Sequence, residues 1–159
     1  MPAIRLIQIT SSGVPAEPVG DLAEVAAEAC VSTAGHYRKA GFAPPWIGYL
    51  ALCGSELVGT CAFPAIPAAG LVEIAYFTFP PFEGQGIATA MATELIALAR
   101  SVQPDIEIFA QTLPEPNASN SVLKKLRFEF ARQVDHPDEG PVWEWRLAPA
   151  SRSASSARS

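Results

Sequence analysis

The spacing of apolar and polar residues along the chain predicts helices separated by strands. Proline is excluded from helix interiors, so the helices are confined to proline-free stretches. Two of these stretches carry apolar residues at spacings of three and four, which predicts one helix from about Asp21 and another over about residues 86–101. A third helix is predicted from Ser119, as its cap, to about Leu126. Residues 35–45 are less regular and predict a short second helix or a loop.

Seven segments have the alternation, or the β-branched and aromatic residues, that are typical of strands. They are residues 1–10, 47–52, 57–63, 71–79, 106–112, 129–134 and 142–147. Strand–helix–strand units in the middle of this order are flanked by antiparallel hairpins, which predicts an α/β (α+β) fold with a mixed sheet and helices on both faces. We expect one domain over residues 1–148 and a disordered tail, rich in Ser, Ala and Arg, over residues 149–159.

Composition narrows the classes of protein further. The 159 residues carry a net charge of −5 and are 49% apolar, which suits one folded domain and disfavours nonspecific nucleic-acid binding. No apolar run approaches the roughly 20 residues of a membrane span, and the first ten residues alternate like a strand, so we expect a cytoplasmic protein without membrane contacts. Cys30, Cys53 and Cys61 lack the spacing of metal ligands, so we expect reduced thiols and no metal.

The candidate chemistry is concentrated in residues 83–88, Glu-Gly-Gln-Gly-Ile-Ala, between a long predicted strand and an amphipathic helix. Gly84, Gly86 and the small Ala88 allow the backbone to turn sharply and to approach a ligand closely. The start of the helix presents unpaired N–H groups and the positive end of the helix dipole. Together these features favour an anion site that suits a pyrophosphate.

Two common nucleotide motifs do not fit this hexapeptide. A P-loop needs Gly-Lys-Ser/Thr at the helix start, where Ile87 and Ala88 stand. A Rossmann fingerprint needs a third glycine at Thr89 and normally follows the first strand of a domain. A tight turn that binds no ligand remains an alternative. A nucleotide-binding regulator, which would be stabilised by ATP or NAD, remains another.

The same stretch resembles the signature of the GNAT superfamily of acyl-CoA-dependent N-acyltransferases, Arg/Gln-x-x-Gly-x-Gly/Ala, which Gly84, Gly86 and Ala88 match. Residues 117–128 resemble the family's Asn-x-x-Ser…Leu-Glu-Lys-Leu-Gly-Phe helix. Residues 73–76, Glu-Ile-Ala-Tyr, are similar to the Glu-Ile-Gly-Tyr of the ribosomal-protein acetyltransferase branch. The three motifs occur in the family's order, and the resemblance covers about residues 46–147.

The resemblance implies a mostly antiparallel central sheet of about seven strands, whose fourth and fifth strands splay apart to admit the pantetheine arm of acetyl-CoA. Backbone N–H groups of residues 84–88 would hold the pyrophosphate, and peptide groups of residues 77–79 would bind the pantetheine. The residues that we expect to bind the cosubstrate are Phe77, Thr78, Phe79, Gly84, Gln85, Gly86, Ile87, Ala88, Thr89, Asn117 and Ser119.

Three residues depart from the family's pattern. Glu83 stands where Arg or Gln is usual, and because a carboxylate repels a pyrophosphate we expect it to point outward. Arg127 replaces a Gly that is often left-handed, which costs another residue roughly 1–2 kcal/mol. Leu123 stands where many members carry a Tyr that protonates the departing thiolate. The proton would then come from Tyr76, Ser119 or water, or no acid is needed.

Amine acylation needs a neutral nucleophile, and a carboxylate at the cleft can take the proton of the amine. The family often places its base at the strand position of Glu73, so Glu73 is the candidate base; a solvent-facing strand residue is the alternative. Asn117 is the second candidate catalytic residue: it would bind the pantetheine or a water, or be an ordinary loop residue. The candidates for the acceptor pocket are His36, Tyr37, Trp46 and Tyr76. Packing or surface exposure explains His36, Tyr37 and Trp46 equally well.

The resemblance therefore predicts an N-acetyltransferase that moves an acetyl group from acetyl-CoA to a primary amine by direct attack in a ternary complex. The acceptor would be a small molecule or a peptide, and a homodimer is one option for the assembly. The alternative is a GNAT-shaped module that binds acyl-CoA without transferring the acyl group, as a sensor or interaction domain.

Overall fold

A computed structural model of the chain describes residues 1–115 and 117–150. Within them the strands are β1 (Arg5–Gln8), β2 (Gly48–Cys53), β3 (Glu56–Ala62), β4 (Leu71–Glu73), β5 (Ala75–Thr78), β6 (Glu107–Thr112), β7 (Glu129–His136) and β8 (Gly140–Leu147). The helices are α1 (Glu24–Ala40), α2 (Ile87–Val102) and α3 (Ala118–Lys125). Residues 151–159 of the predicted tail lie outside the described residues, whereas Pro149, which was assigned to that tail, is buried.

The strands form two four-stranded sheets, which agrees with the predicted mixed fold of about seven strands with a splayed pair at its centre. Their orders are β1-β2-β3-β5 and β4-β6-β8-β7, and the β4–β6 pair is parallel. The predicted strand 71–79 is divided at Ile74, whose N–H donates to the Phe109 carbonyl of β6 at 2.9 Å. The next residue, Ala75, pairs instead with Ala62 of β3. The chain thus changes partners at Ile74, which opens the gap that the resemblance implies between splayed strands.

The first helix is longer than the sequence indicates. Residues 24–40 form one helix, so the prediction of a separate short helix or loop is wrong for residues 35–40, whereas residues 41–45 lie outside the helices. The buried stripe of the helix, Ala26, Cys30, Ala34 and Tyr37, continues at spacings of three and four through this region. The predicted cap, Asp21, is not used, because the N-cap is Ala23 and carries no side-chain hydrogen bond. Burial of the stripe therefore outweighs the weak helix propensity around Gly35.

Close packing around Gly59 positions the elements that border the gap. A Cβ on Gly59 would lie 2.8 Å from the Phe77 carbonyl of β5 and 2.9 Å from the Met91 sulfur of α2. Because real side chains do not approach so closely, only glycine lets β5 and α2 pack against β3 at this distance. This contact places the start of α2 beside the free edge of β5.

The third helix begins differently from the prediction. Its N-cap is Asn117, whose side chain accepts the backbone N–H of Asn120 at 3.0 Å, so Ser119 is not the cap. Past the end of the helix, Arg127 has φ +70°, in the left-handed region that favours glycine. Leu123 is fully buried in the core, so this position supplies packing.

Two further features of the described part of the chain bear on its class. No helix among these residues is both long enough and apolar enough to cross a membrane. Within the same residues, no three His, Cys, Asp or Glu side chains come together in a group that could hold a metal ion.

Candidate functional site

A cavity of about 450 Å³ lies where the gap between the sheets meets the starts of α2 and α3. Its lining residues are Tyr76, Phe77, Thr78, Glu83, Gly84, Gly86, Ile87, Ala88, Thr89, Ala118, Ser119 and Val122. Nine of these residues were predicted as site residues, and the structure brings them together from three separate segments of the chain. The sequence analysis missed Ala118 and Val122, since nothing in the sequence shows which face of α3 meets the cavity.

The start of α2 opens into this cavity without a cap of its own. Gly86 is the N-cap, with φ +80° in the left-handed region, and no side chain bonds to the first turn. The N–H groups of Ile87, Ala88 and Thr89 are the first of the helix and lack carbonyl partners within it. Because the helix dipole adds positive charge at the same place, the turn is a candidate for an anion site.

The free edge of β5 forms the wall opposite α3. Phe77 is 51% exposed, so its ring is available to pack against the arm of a bound molecule. Phe79 is not available, although the sequence analysis includes it. Its N–H donates to Val58 at 2.9 Å, its carbonyl accepts from Phe82 at 2.9 Å, and its ring is 1% exposed. Of residues 77–79, only Phe77 and Thr78 line the cavity.

Glu83 is exposed, as expected, and yet it lies on the rim of the cavity beside Gly84. Exchanging Glu83 for glutamine is expected to tighten coenzyme A binding roughly two- to fivefold at low ionic strength, because it removes a carboxylate close to the anion site. Calorimetric titration at low and high ionic strength checks this, since salt should reduce the gain.

The control for that exchange is Glu56→Gln, in an exposed position at the start of β3, which should leave binding unchanged. Equal affinities for the Glu83→Gln protein and the unaltered protein would show that the Glu83 carboxylate does not face the bound phosphates.

Tyr76 presents a buried hydroxyl to the cavity. Within the described residues this hydroxyl makes no hydrogen bond. Burial raises its pKa to about 12, and the Ser119 side chain of α3 opposes that rise. A buried phenol without a partner is costly, so this hydroxyl is available to donate to the Ser119 side chain beside it or to a bound molecule. Tyr76 and Ser119, like Thr78 and Thr89, are hydroxyl-bearing residues that line the cavity.

Glu73 lies at the end of β4, next to the point where the strand divides, and it does not line the cavity itself. Its side chain is half-buried, and burial raises the pKa of the carboxyl above its ordinary value. The charge of His136 in β7 lowers this pKa, that of Glu144 in β8 raises it, and that of His36 in α1 lowers it. A carboxylate with a raised pKa among groups from three other elements is well suited to exchange protons.

The two histidines near Glu73 were not grouped with it by the sequence analysis. His36 is exposed, and its Nε2 bonds to the Pro64 carbonyl. The half-buried His136 accepts the N–H groups of Asp138 and Glu139 through Nδ1, at 3.1 and 3.3 Å. No local signal could have shown this proximity, because the residues are far apart in the chain.

Four other predicted residues stand apart from the cavity. Tyr37 is buried in the core, where its hydroxyl donates to Ile9 at 2.8 Å and accepts from the Gly48 N–H at 2.9 Å. Trp46 packs edge-to-face on Phe63, with ring centroids 5.0 Å apart. The remaining two are Gln85, which is exposed and outside the lining, and Asn117, which caps α3.

A second, larger cavity of about 790 Å³ lies between the second half of α2, the residues that follow α3 and neighbouring ends of β6, β7 and β8. Thr93, Ile96 and Arg100 continue the α2 stripe that Thr89 begins in the first cavity. Neither the glycine turn nor any predicted site residue lines this cavity. It lies beside the second half of α2 and the residues after α3, away from the helix start where the dipole favours anions, so the smaller cavity is the better candidate site.

Comparison with known proteins identifies the class. The acetyltransferase (GNAT) domain family matches residues 15–129, which is more than half of the chain. The protein therefore belongs to the GNAT acetyltransferase family and is an acyltransferase. No curated protein sequence matches the chain.

Solved structures with the same fold include several acetyltransferases. The ribosomal L7/L12 α-N-protein acetyltransferase RimL without ligand has a TM-score of 0.65 and 18% identity, over 91% of this chain and 90% of that chain. RimL with coenzyme A has a TM-score of 0.61 and 20% identity, over 79% and 72%. Mycobacterium smegmatis RimJ, with a coenzyme A disulfide, has a TM-score of 0.60 and 20% identity, over 82% and 66%. At these identities the likeness shows the fold alone.

Proposed function

We propose that the protein is an N-acetyltransferase that moves an acetyl group from acetyl-CoA to a primary amine by direct attack in a ternary complex. The observation that carries this proposal is the uncapped start of α2, which opens into a cavity bordered by the free edge of β5 and by α3. A pyrophosphate accepts hydrogen bonds and carries the negative charge that this turn favours. The coenzyme A bound in two structural neighbours supports the same assignment.

In this proposal different residues of the cavity bind different parts of the cosubstrate. The N–H groups of residues 86–89 hold the pyrophosphate, while Phe77 and Thr78 line the path of the pantetheine arm. Tyr76 precedes these residues in β5, so it lies further from the α2 turn, toward the gap at Ile74. The thioester, which supplies an activated acetyl group, would therefore lie near Tyr76 and Ser119.

The acceptor amine needs a base that takes its proton. At pH 7 the removal of a proton from an alkyl amine with a pKa near 10 costs about 4 kcal/mol. Glu73 ends β4 and Tyr76 lies in β5, on either side of the break at Ile74. We assign the amine proton to the Glu73 carboxylate, directly or through one water. The Tyr76 and Ser119 hydroxyls then face the departing sulfur and stabilise it by hydrogen bonds.

The acceptor is proposed as the amine of a small molecule or of a peptide or protein N-terminus. The RimL structures support the second class, because RimL is described as an α-N-protein acetyltransferase. The acidic surface of this chain, with its net charge of −5, favours the approach of a cationic amine in either case.

The test is release of free thiol from acetyl-CoA in the presence of a panel of polyamines, amino acids, aminoglycosides and peptides with free N-termini. We expect acetyl-CoA to raise the melting temperature of the protein, and at least one amine to produce thiol at a rate proportional to enzyme concentration. Stabilisation without thiol release from any amine would favour the module that only binds acyl-CoA. A protein that neither coenzyme A nor acetyl-CoA stabilises would contradict both functions.

A further inference from the structure

A buried series of hydrogen bonds links the second sheet to the start of α3. Trp145 of β8 donates its indole N–H to Oγ1 of Thr112 in β6 at 3.0 Å. The Thr112 hydroxyl donates to Oδ1 of Asn120 in α3 at 2.5 Å. The Asn120 amide nitrogen donates to the carbonyl of Glu115 in the preceding loop. Trp145, Thr112 and Asn120 are only 5%, 6% and 4% exposed, so water does not compete for these bonds.

The chemistry of the groups sets the direction of every bond in the series. An indole N–H can only donate, so the Thr112 oxygen accepts from Trp145 and uses its own hydrogen to donate to Asn120. The Asn120 oxygen therefore points to Thr112, and its NH₂ group points to the Glu115 carbonyl. Loss of one member leaves its neighbours buried without partners, which makes the series sensitive to single substitutions.

The series holds the face of α3 that lies away from the cavity. Asn120 also donates its backbone N–H to Asn117, the N-cap, so two of its hydrogen bonds join it to the segment before the helix. On the same first turns, Ala118, Ser119 and Val122 line the cavity. Since α3 has only eight residues, anchoring one face of it determines where the other face stands.

We propose that Thr112 and Asn120 are positioning residues of this enzyme, which hold the first turn of α3 so that Ser119 faces Tyr76 across the cosubstrate cavity. The kinetic consequence of this proposal rests on the proposed function, whereas the placement of the α3 wall does not. The pyrophosphate turn belongs to α2, a different element, and the series does not include it. Disrupting the series is therefore expected to lower turnover more than it lowers the affinity for coenzyme A.

The first test compares Thr112→Val, which removes the hydroxyl at nearly constant shape, with Thr112→Ser, which keeps it. We expect Thr112→Val to lower kcat for thiol release roughly tenfold, because small misplacements of reacting groups have large effects. The KM for acetyl-CoA and the affinity for coenzyme A are expected to change less than about threefold. Thr112→Ser should recover most of the turnover.

A double-mutant cycle with Ser119→Ala shows whether the effect passes through Ser119. If Thr112 acts by positioning Ser119, the two exchanges together should lower kcat little more than the larger of the single effects. Full additivity would show that Thr112 acts by another route and would overturn the proposal. A Thr112→Val protein with unchanged kcat would overturn it as well.

Hydrogen exchange gives a readout that does not need turnover. Coenzyme A should protect the backbone amides of residues 118–122 in the unaltered protein, and Thr112→Val should remove this protection while leaving that of residues 87–89. Loss of protection at both segments, or at neither, would contradict the proposal.

If no amine yields thiol, the proposed function fails, and this exchange pattern still decides whether Thr112 positions α3. If Thr112→Val does not fold, Trp145→Phe, which deletes the first donor together with part of the buried ring system, should show the same pattern at lower amplitude.

Discussion

Exchanging Glu73 for glutamine is expected to lower kcat for acetyl transfer by roughly 10²- to 10⁴-fold, the usual contribution of a general base. Glutamine preserves the shape of the side chain and removes its ability to take a proton. The measurement is thiol release with an amine that the unaltered protein acetylates. Glu56→Gln, at an exposed position in β3, is the control and should retain full turnover. Retention of full turnover by Glu73→Gln would remove Glu73 from the role of base.

The pH dependence of turnover is a second test of Glu73 as the base. The active form is the carboxylate, so activity is present above the pKa of Glu73 and is lost as pH falls through it. Because burial raises this pKa, the acidic limb of kcat/KM should lie at higher pH than for a solvent-exposed glutamate. The charges of His136 and His36 lower the pKa of Glu73 and offset part of this rise. A limb at the position of an ordinary glutamate would contradict the assignment.

The Glu73→Gln exchange, which should lower activity, should raise the stability of the folded protein. The pKa of Glu73 is raised in the folded state, so its protonated form favours folding. This contribution to the free energy of unfolding is fully present below the pKa of the carboxyl in the unfolded chain, and it is lost as the pH rises through the pKa in the folded protein. At neutral pH the ionised Glu73 therefore destabilises the fold, and Glu73→Gln should raise the melting temperature. The difference should vanish at acidic pH, where Glu73 is protonated in both states. A lower melting temperature for Glu73→Gln at neutral pH would argue for a structural role.

The second large effect is expected from Gly86→Ala. Gly86 has φ +80° as the N-cap of α2, and a left-handed alanine costs roughly 1–2 kcal/mol. A Cβ at this position would also lie 3.3 Å from Cδ of Pro2, a closer contact than most Cβ atoms make. Relief of this strain would turn the first N–H groups of the helix away from the anion site. We expect the dissociation constant of coenzyme A to rise roughly tenfold, measured by calorimetry, as about 1.4 kcal/mol of strain would produce.

A matched glycine separates backbone strain from binding. Gly54 has φ +62° in the turn between β2 and β3, has nothing within 4 Å of an added Cβ, and does not line the cavity. Gly54→Ala should therefore destabilise the fold by a similar amount and leave coenzyme A affinity unchanged. Equal affinities for coenzyme A in the two variants would mean that the start of α2 does not hold the pyrophosphate.

The glycine turn could be predicted because its signal is local. Gly84, Gly86 and Ala88 lie within five positions, and the apolar stripe of the following helix shows where the turn ends. The split of strand 71–79 has no such signal. All nine residues suit a strand, and only the competition of β3 and β6 for the same segment divides it at Ile74. The role of Tyr37 has no local signal either. Its hydroxyl suits an acceptor pocket, and only its hydrogen bonds with Ile9 and Gly48 show that it belongs to the core.

The sequence by itself determined the family, the order of the elements and the place of the glycine turn, since each depends on residues that are near one another in the chain. Tertiary structure alone decided which polar side chains serve the site and which serve the core. It brings His36, His136 and Glu144 to Glu73, and it joins Trp145, Thr112 and Asn120 behind the wall that carries Ser119. Burial and hydrogen-bond partners define these roles, and both arise from contacts between distant segments.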